Sequence, residues 1–438
     1  MGKLTRQQLE GLNLYKYSGV DKSLLSKTIL TPYWNHLVTY FPKTIAPNTI
    51  TSIGLGFVAV NIATLLFFDP KYEGKELPSW VYLSWGIGLF LYQSMDAIDG
   101  KQARRTGMAG PLGEMFDHGI DAINTSLEVI LCMAAFGQTR TWWTVVCQAS
   151  SLATFYLSTW EEYHTGTLYL SAFSGPVEGI LLICGMYFIT AAKTPAFWQT
   201  PVIDFLPILA HKFQSLVGMG IGHGVEDVVE KLHGGLSQLK WLKGVSVVES
   251  FLYFGALGLA GNIANAYYNV IQARRKANKP VLEPLLGLLP YFFHTVLLVA
   301  WLAGPKVDIV PTEKILWFTV YWAATFSYQV SHLILAHVTK SAFPYWNGMM
   351  IWTFLGAVDA NLPRFGVESF IQTTDARTWY FVAGSALFAI ANYVRFAKST
   401  IWQITEYLGI ACFTVRHKDQ TGHWVENEQA LEERRKRQ

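Results

Sequence analysis

Asp96 and Asp99 are spaced i, i+3, and Asp117 and Asp121 are spaced i, i+4. On a helix, residues three or four apart share a face, so each pair points one way. The stretches that carry them, 94–105 and 113–121, are joined by a short connection. The two segments are therefore neighbours, and all four carboxylates can converge. Converged carboxylates repel unless cations intervene. An all-oxygen donor set suits Mg²⁺, Mn²⁺ or Ca²⁺ rather than zinc. Two divalent ions formally balance four carboxylates, which predicts a two-metal site. Gly100, Ala103 and Gly113 remove bulk where a pyrophosphate must approach the backbone. Arg104 can pair with phosphate oxygens. The set predicts metal-assisted phosphoryl transfer.

The elements that position these residues are apolar. Of 438 residues, 51% are hydrophobic and 15% charged, against about 25% charged in ordinary soluble domains. This argues against a soluble enzyme, and a net charge of +3 is too small for a nucleic-acid binder. About 20 apolar residues cross a hydrocarbon core. Ten such runs are read, roughly at 48–68, 79–98, 114–137, 141–161, 176–193, 246–272, 283–303, 312–338, 346–362 and 379–402. The expected fold is all-α and polytopic, with no need for strands. An aspartate at mid-bilayer costs about 2.5–3.5 kcal/mol on insertion scales, so four near one helix end require compensation.

Five regions follow: an N-terminal amphipathic segment over 1–45, catalytic helices over 46–193, a loop over 194–245, additional spans over 246–402, and a tail over 403–438. Residues 23–41 mix Leu24, Leu25, Ile29, Trp34, Leu37 and Phe41 with Lys27, Asn35 and His36. This pattern fits a segment lying on the membrane face, with Pro32 interrupting any helix there. The glycines at 218, 220, 222 and 224 follow no strand, so a nucleotide loop is not expected. The four cysteines lie in apolar runs without metal-ligand spacing. Residues 1–22 lack the apolar core of a cleavable signal. With a cytosolic N-terminus, most of the 34 Lys and Arg fall on the cytosolic side, Arg434–Arg437 included. The aspartate motif then faces the cytosol.

Asp96-x2-Asp99-Gly100-x2-Ala103-Arg104-x8-Gly113-x3-Asp117-x3-Asp121 resembles the signature of the CDP-alcohol phosphotransferases. The flanks, including 14–17, 46–48, 158–164 and 175–179, resemble the eukaryotic choline/ethanolamine branch, particularly fungal members. The recognisable likeness covers roughly residues 10–190. It implies transfer of phosphocholine or phosphoethanolamine from CDP-choline or CDP-ethanolamine to diacylglycerol, with release of CMP. It implies Mg²⁺ or Mn²⁺, the endoplasmic reticulum or Golgi membrane, and a homodimer. By position, Asp96, Asp99, Asp117 and Asp121 would ligate metal. Asn48, Gly100, Ala103, Arg104 and Gly113 would contact the CDP part together with Asp96 and Asp117. Asn48 is equally well read as a helix N-cap. Two rivals remain: the same family with CDP-diacylglycerol as donor, and a cation transporter using intramembrane aspartates.

The acceptor hydroxyl must lose a proton, so a general base is sought. Asp121 is one candidate, though metal binding would weaken it as a base. His118 is the other, because it flanks Asp117 and titrates ordinarily near 6.5. Glu178, in an otherwise apolar run, is the expected partner that fixes the imidazole. Asn262, Asn265, His294, His332, His337 and Asp359 are read as interhelical hydrogen-bonding groups and left out of the site.

Overall fold

The computed structural model describes residues 3–21, 23, 25–170, 176–204, 244–418 and 424–426. Each of the ten apolar runs is helical. After α1 (Arg6–Leu12) and α2 (Thr31–Leu37) come α3 (Pro47–Phe68), α4 (Ser79–Thr106), α5 (Pro111–Ala135), α6 (Trp142–Thr165) and α7 (Pro176–Lys193). Then follow α8 (Val247–Lys276), α9 (Leu289–Leu302), α10 (Lys314–Val338), α11 (Met349–Asn361) and α12 (Asp375–Leu408). Among the described residues, four stretches are long and apolar enough to cross a membrane: Pro47–Phe68, Val247–Lys276, Glu283–Leu302 and Asp375–Leu408. The chain is a multi-pass, mostly helical membrane protein.

α4 packs on α3 and α7, while α5 packs on α3, α6 and α10. α10 also carries α12, α8 lies on α6, and α9 pairs with α11. A Cβ on Gly54 would stand 3.1 Å from Met95 Cβ, so the glycine permits the close α3–α4 approach. Trp85, Trp160 and Trp301 are fully buried between the helices. α4 extends beyond the expected end at 98 and takes in Lys101, Arg104 and Arg105. It stops at Gly107, whose φ of 71° is left-handed, and Pro111 opens α5. The resulting turn is short enough to hold the two aspartate pairs side by side.

Two expectations change. Pro32 does not interrupt a helix. A π-turn over Ser26–Leu30 runs directly into α2, so the helical path continues past Pro32, which sits in the first turn of α2 behind that wider turn. Short strands exist: β1 (Gly19–Asp21) pairs in parallel with β2 (Leu168–Leu170), and β3 (Arg416–Lys418) pairs with β4 (Trp424–Glu426). The first pair ties the N-terminal arm to the end of α6. The helix α1 is docked on the rest of the chain. Leu4 N donates to Gln403 Oε1 at 2.6 Å, and Asn13 Nδ2 donates to Tyr407 at 3.1 Å. A Cβ on Gly11 would meet the Thr339 carbonyl oxygen at 1.9 Å, so only glycine lets α1 sit against the end of α10. The glycine cluster at 218–224 lies outside the described residues, as does most of the 194–245 loop and the charged tail.

Candidate active site

The α4–α5 hairpin brings oxygens of Asp96, Asp99 and Asp117 within 4.8 Å of one another. Asp99 is buried, and Asp96 and Asp117 are half-buried. Thr51 of α3 donates to Asp99 Oδ2 at 2.5 Å. Asp121, one turn further along α5, accepts a hydrogen bond from the Tyr92 hydroxyl. Asp117 Oδ1 is buried without a hydrogen-bond partner. Three carboxylates this close, one with an unsatisfied oxygen, fit a hard divalent cation. Asp121 stands beside the trio with one oxygen already engaged.

The small residues of the motif leave space. Beyond its own helix, a Cβ on Gly113 would meet nothing within 4 Å, and one on Gly100 only the Arg104 guanidinium at 3.7 Å. Arg104 is exposed at the mouth, and Ala103 is buried beneath it. The neighbouring polar residues instead hold α2 and the residues after it. Gln102 Nε2 donates to the carbonyls of Pro42 and Ile45 at 2.8 and 2.9 Å. Arg105 donates to the carbonyls of Val38 and Phe41, and Lys101 to Asn35 Oδ1 at 2.9 Å.

Asn48 is not an N-cap, because Ala46 caps α3 and Pro47 fills its first turn. The Asn48 amide faces Cys412 Sγ at 3.4 Å. The segment after α12 thus closes over the hairpin: Phe413 packs edge-on against Phe116, and Arg416 N points at Met108 Sδ at 3.4 Å.

His118 does not meet Glu178. Its Nδ1 lies 4.0 Å from Glu162 Oε2. Glu178 Oε1 accepts from Ser23 Oγ at 2.5 Å. α5 touches both α6 and α7, but the last turn of α6 brings Glu162 to His118, whereas α7 packs mainly on α4 and its first turn is held by Ser23.

A second convergence adjoins the aspartates. Glu114, Glu162 and His337 bring ligand-type atoms within 4.8 Å of one another. The Tyr15 hydroxyl donates to Glu114 Oε2, and the Tyr15 ring meets His337 edge-on at 6.5 Å. Burial and Glu114 raise the Tyr15 phenol above its ordinary range. Tyr17 is raised by burial, then by Glu162, Glu114 and Asp117, while Arg104 lowers it. Tyr17 therefore lies in the field of both carboxylate groups. Glu114 was legible as the helical neighbour of Asp117 at i−3. Glu162 and Tyr15 lay in flanks already singled out. His337, more than 200 residues from the motif, was read as an interhelical hydrogen-bonding group and left out of the site, yet it joins Glu114 and Glu162.

The other polar groups behave structurally. His294 hydrogen-bonds Thr353 at 2.9 Å. His332 bonds the Tyr328 carbonyl at 2.7 Å. Asp359 accepts the N–H groups of Phe370, Ile371 and Gln372 at 2.7–3.0 Å.

Fold and site together define an integral membrane protein with a hard-cation-type carboxylate centre at one end of its helices. A CDP-alcohol phosphatidyltransferase model matches residues 44–210. The chain is 42% identical over 430 residues, 96% of its length and 99% of the relative's, to an uncharacterized CDP-alcohol phosphatidyltransferase class-I family protein of Schizosaccharomyces pombe. It is 32% identical to the Saccharomyces cerevisiae choline/ethanolaminephosphotransferase 1, covering 94% of this chain and 98% of that one. It is 27% identical to the human ethanolaminephosphotransferase 1, covering 94% of each. The chain belongs to the CDP-alcohol phosphatidyltransferase family, and it is a transferase.

Proposed function

We propose that this enzyme transfers phosphocholine and phosphoethanolamine from CDP-choline and CDP-ethanolamine to the hydroxyl of diacylglycerol, releasing CMP. The observation that carries the reading is the convergence of Asp96, Asp99 and Asp117 within 4.8 Å beside Arg104. The names of near full-length relatives support the donor class.

Asp96, Asp99 and Asp117 would hold divalent cations, Mg²⁺ or Mn²⁺, with Asp121 contributing the oxygen that Tyr92 leaves free. Such ions, when bound, neutralise the pyrophosphate and stabilise CMP as the leaving group. Arg104 pairs with phosphate oxygens, and the space at Gly100 and Gly113 admits them to the backbone. Asn48, with the segment at Cys412, borders the nucleotide. His118 takes the proton of the attacking hydroxyl at Nε2, while Nδ1–H is directed toward Glu162 Oε2, which stabilises the imidazolium that forms.

The acceptor arrives from the bilayer and the nucleotide from the cytosol. The reading keeps ten spans, with the motif and both termini cytosolic, in the endoplasmic reticulum or Golgi membrane; the helicity of all ten apolar runs supports it. A homodimer is the family expectation carried over here. The test is CMP release by purified protein given diacylglycerol with CDP-choline or CDP-ethanolamine. Use of both donors is expected. No CMP from either overturns the reading, and a transporter would give none.

A further inference from the structure

We infer that Glu114 and Glu162, with Tyr15, Tyr17 and His337, form the subsite that receives the positively charged ammonium headgroup of the CDP-alcohol. This rests on the proposed transfer reaction and names the part of the donor that the aspartates do not bind.

Glu114 and Glu162 are 8% and 3% exposed, and two buried carboxylates require a positive partner. Among the described residues, the partners within 4.0 Å are the imidazoles of His118 and His337, which are charged only when protonated. Lys340 acts on both from the exposed end of α10, yet makes no ion pair within 4.0 Å of either. Glu114 Oε1 is buried, accepts no hydrogen bond, and is directed into the cluster, 3.5 Å from His337 Nε2. Glu162 stands in the last turn of α6, where the helix dipole is negative and favours a cation rather than a carboxylate. Two tyrosine rings add π-faces, which attract substituted ammonium groups.

The position suits the donor. Glu114 precedes Asp117 by three residues on α5, about 4.5 Å along the helix axis. That spacing is comparable to the two-carbon chain between the phosphate and the nitrogen of choline or ethanolamine. Tyr17 lies within electrostatic reach of Arg104 and Asp117 as well as of Glu114 and Glu162. Carboxylates and π-faces serve a primary or a quaternary ammonium alike. The subsite therefore accounts for use of both donors.

The experiment measures equilibrium binding without acceptor, so no turnover contributes. The ligands are CDP-choline, CDP, and the CDP ester of 3,3-dimethylbutanol, which keeps the shape of choline and lacks its charge. The intact protein should prefer CDP-choline to the neutral ester at least about tenfold. Glu114→Gln and Glu162→Gln should each cut that preference to within about threefold while leaving CDP affinity unchanged. Retained CDP binding certifies the fold, and Tyr17→Leu serves as a third variant should Glu114→Gln fail to fold. A preference that survives in the variants, or is absent from the intact protein, overturns the subsite. So would a tightly held zinc ion lost on Glu162→Gln, which would make the cluster a metal site. Failure of the transfer reading is seen separately, as no CMP release from the intact protein.

Discussion

Glu162, in the last turn of α6, lies 4.0 Å from His118 Nδ1, across the packed α5–α6 pair. Glu178, the acid expected at that place from sequence, is held by Ser23 at 2.5 Å. The consequence is a reassignment of roles. In the proposed mechanism Glu162 takes the place of Glu178 as the positioning residue for His118, and Glu178 joins the N-terminal arm to the start of α7.

His118→Ala should lower turnover by about 10²–10⁴-fold and leave binding of CDP-choline intact. Glu162→Gln should show a smaller loss of turnover together with a shifted pH profile, whereas Glu178→Gln should stay near full turnover. Steady-state kinetics on the three variants checks this. A loss in Glu178→Gln that matches His118→Ala would return the role to Glu178.

Strict dependence on a divalent cation is expected, because Asp96, Asp99 and Asp117 crowd within 4.8 Å. A chelator should abolish CMP release, and Mg²⁺ or Mn²⁺ should restore it. Asp96→Ala, Asp99→Ala and Asp117→Ala should be inactive yet elute as folded protein on size exclusion. Turnover persisting in chelator would rule out the metal centre.

Gly11 fixes α1 against α10, since a Cβ there would meet the Thr339 carbonyl at 1.9 Å. Gly11→Val should destabilise by about 1–3 kcal/mol through overpacking, read as a lower unfolding midpoint in detergent. It should also weaken CDP-choline binding, because α1 carries the chain into Tyr15 and Tyr17. An unchanged midpoint would mean that α1 docks elsewhere in the membrane.

A tag placed after Arg437 should be reachable by antibody in sealed microsomes without detergent, as the basic bias requires. Protection of the tag would invert the orientation or change the number of spans to odd.

Sequence alone determined what is local. The spacing of Asp96, Asp99, Asp117 and Asp121 decided that each pair shares a helix face, and the short Gly107–Pro111 connection made those faces neighbours. Each apolar run proved helical, and four stretches among the described residues are long and apolar enough to cross a membrane. Helix ends were less legible. α4 runs on through Arg105 because Gln102 and Arg105 find carbonyl partners around α2, contacts that hydropathy does not encode. What only the tertiary structure decided is long-range. Glu162 rather than Glu178 reaches His118 because the last turn of α6 stands against it, whereas the first turn of α7 is held by Ser23 of the N-terminal arm. His337 joins Glu114 because α10 also lies on α5. Asn48 meets Cys412 because the segment after α12 folds back over the site. Periodicity fixes where a side chain points on its own helix. Which helix it meets is decided by packing among all of them, and that choice carries no local signature in the chain.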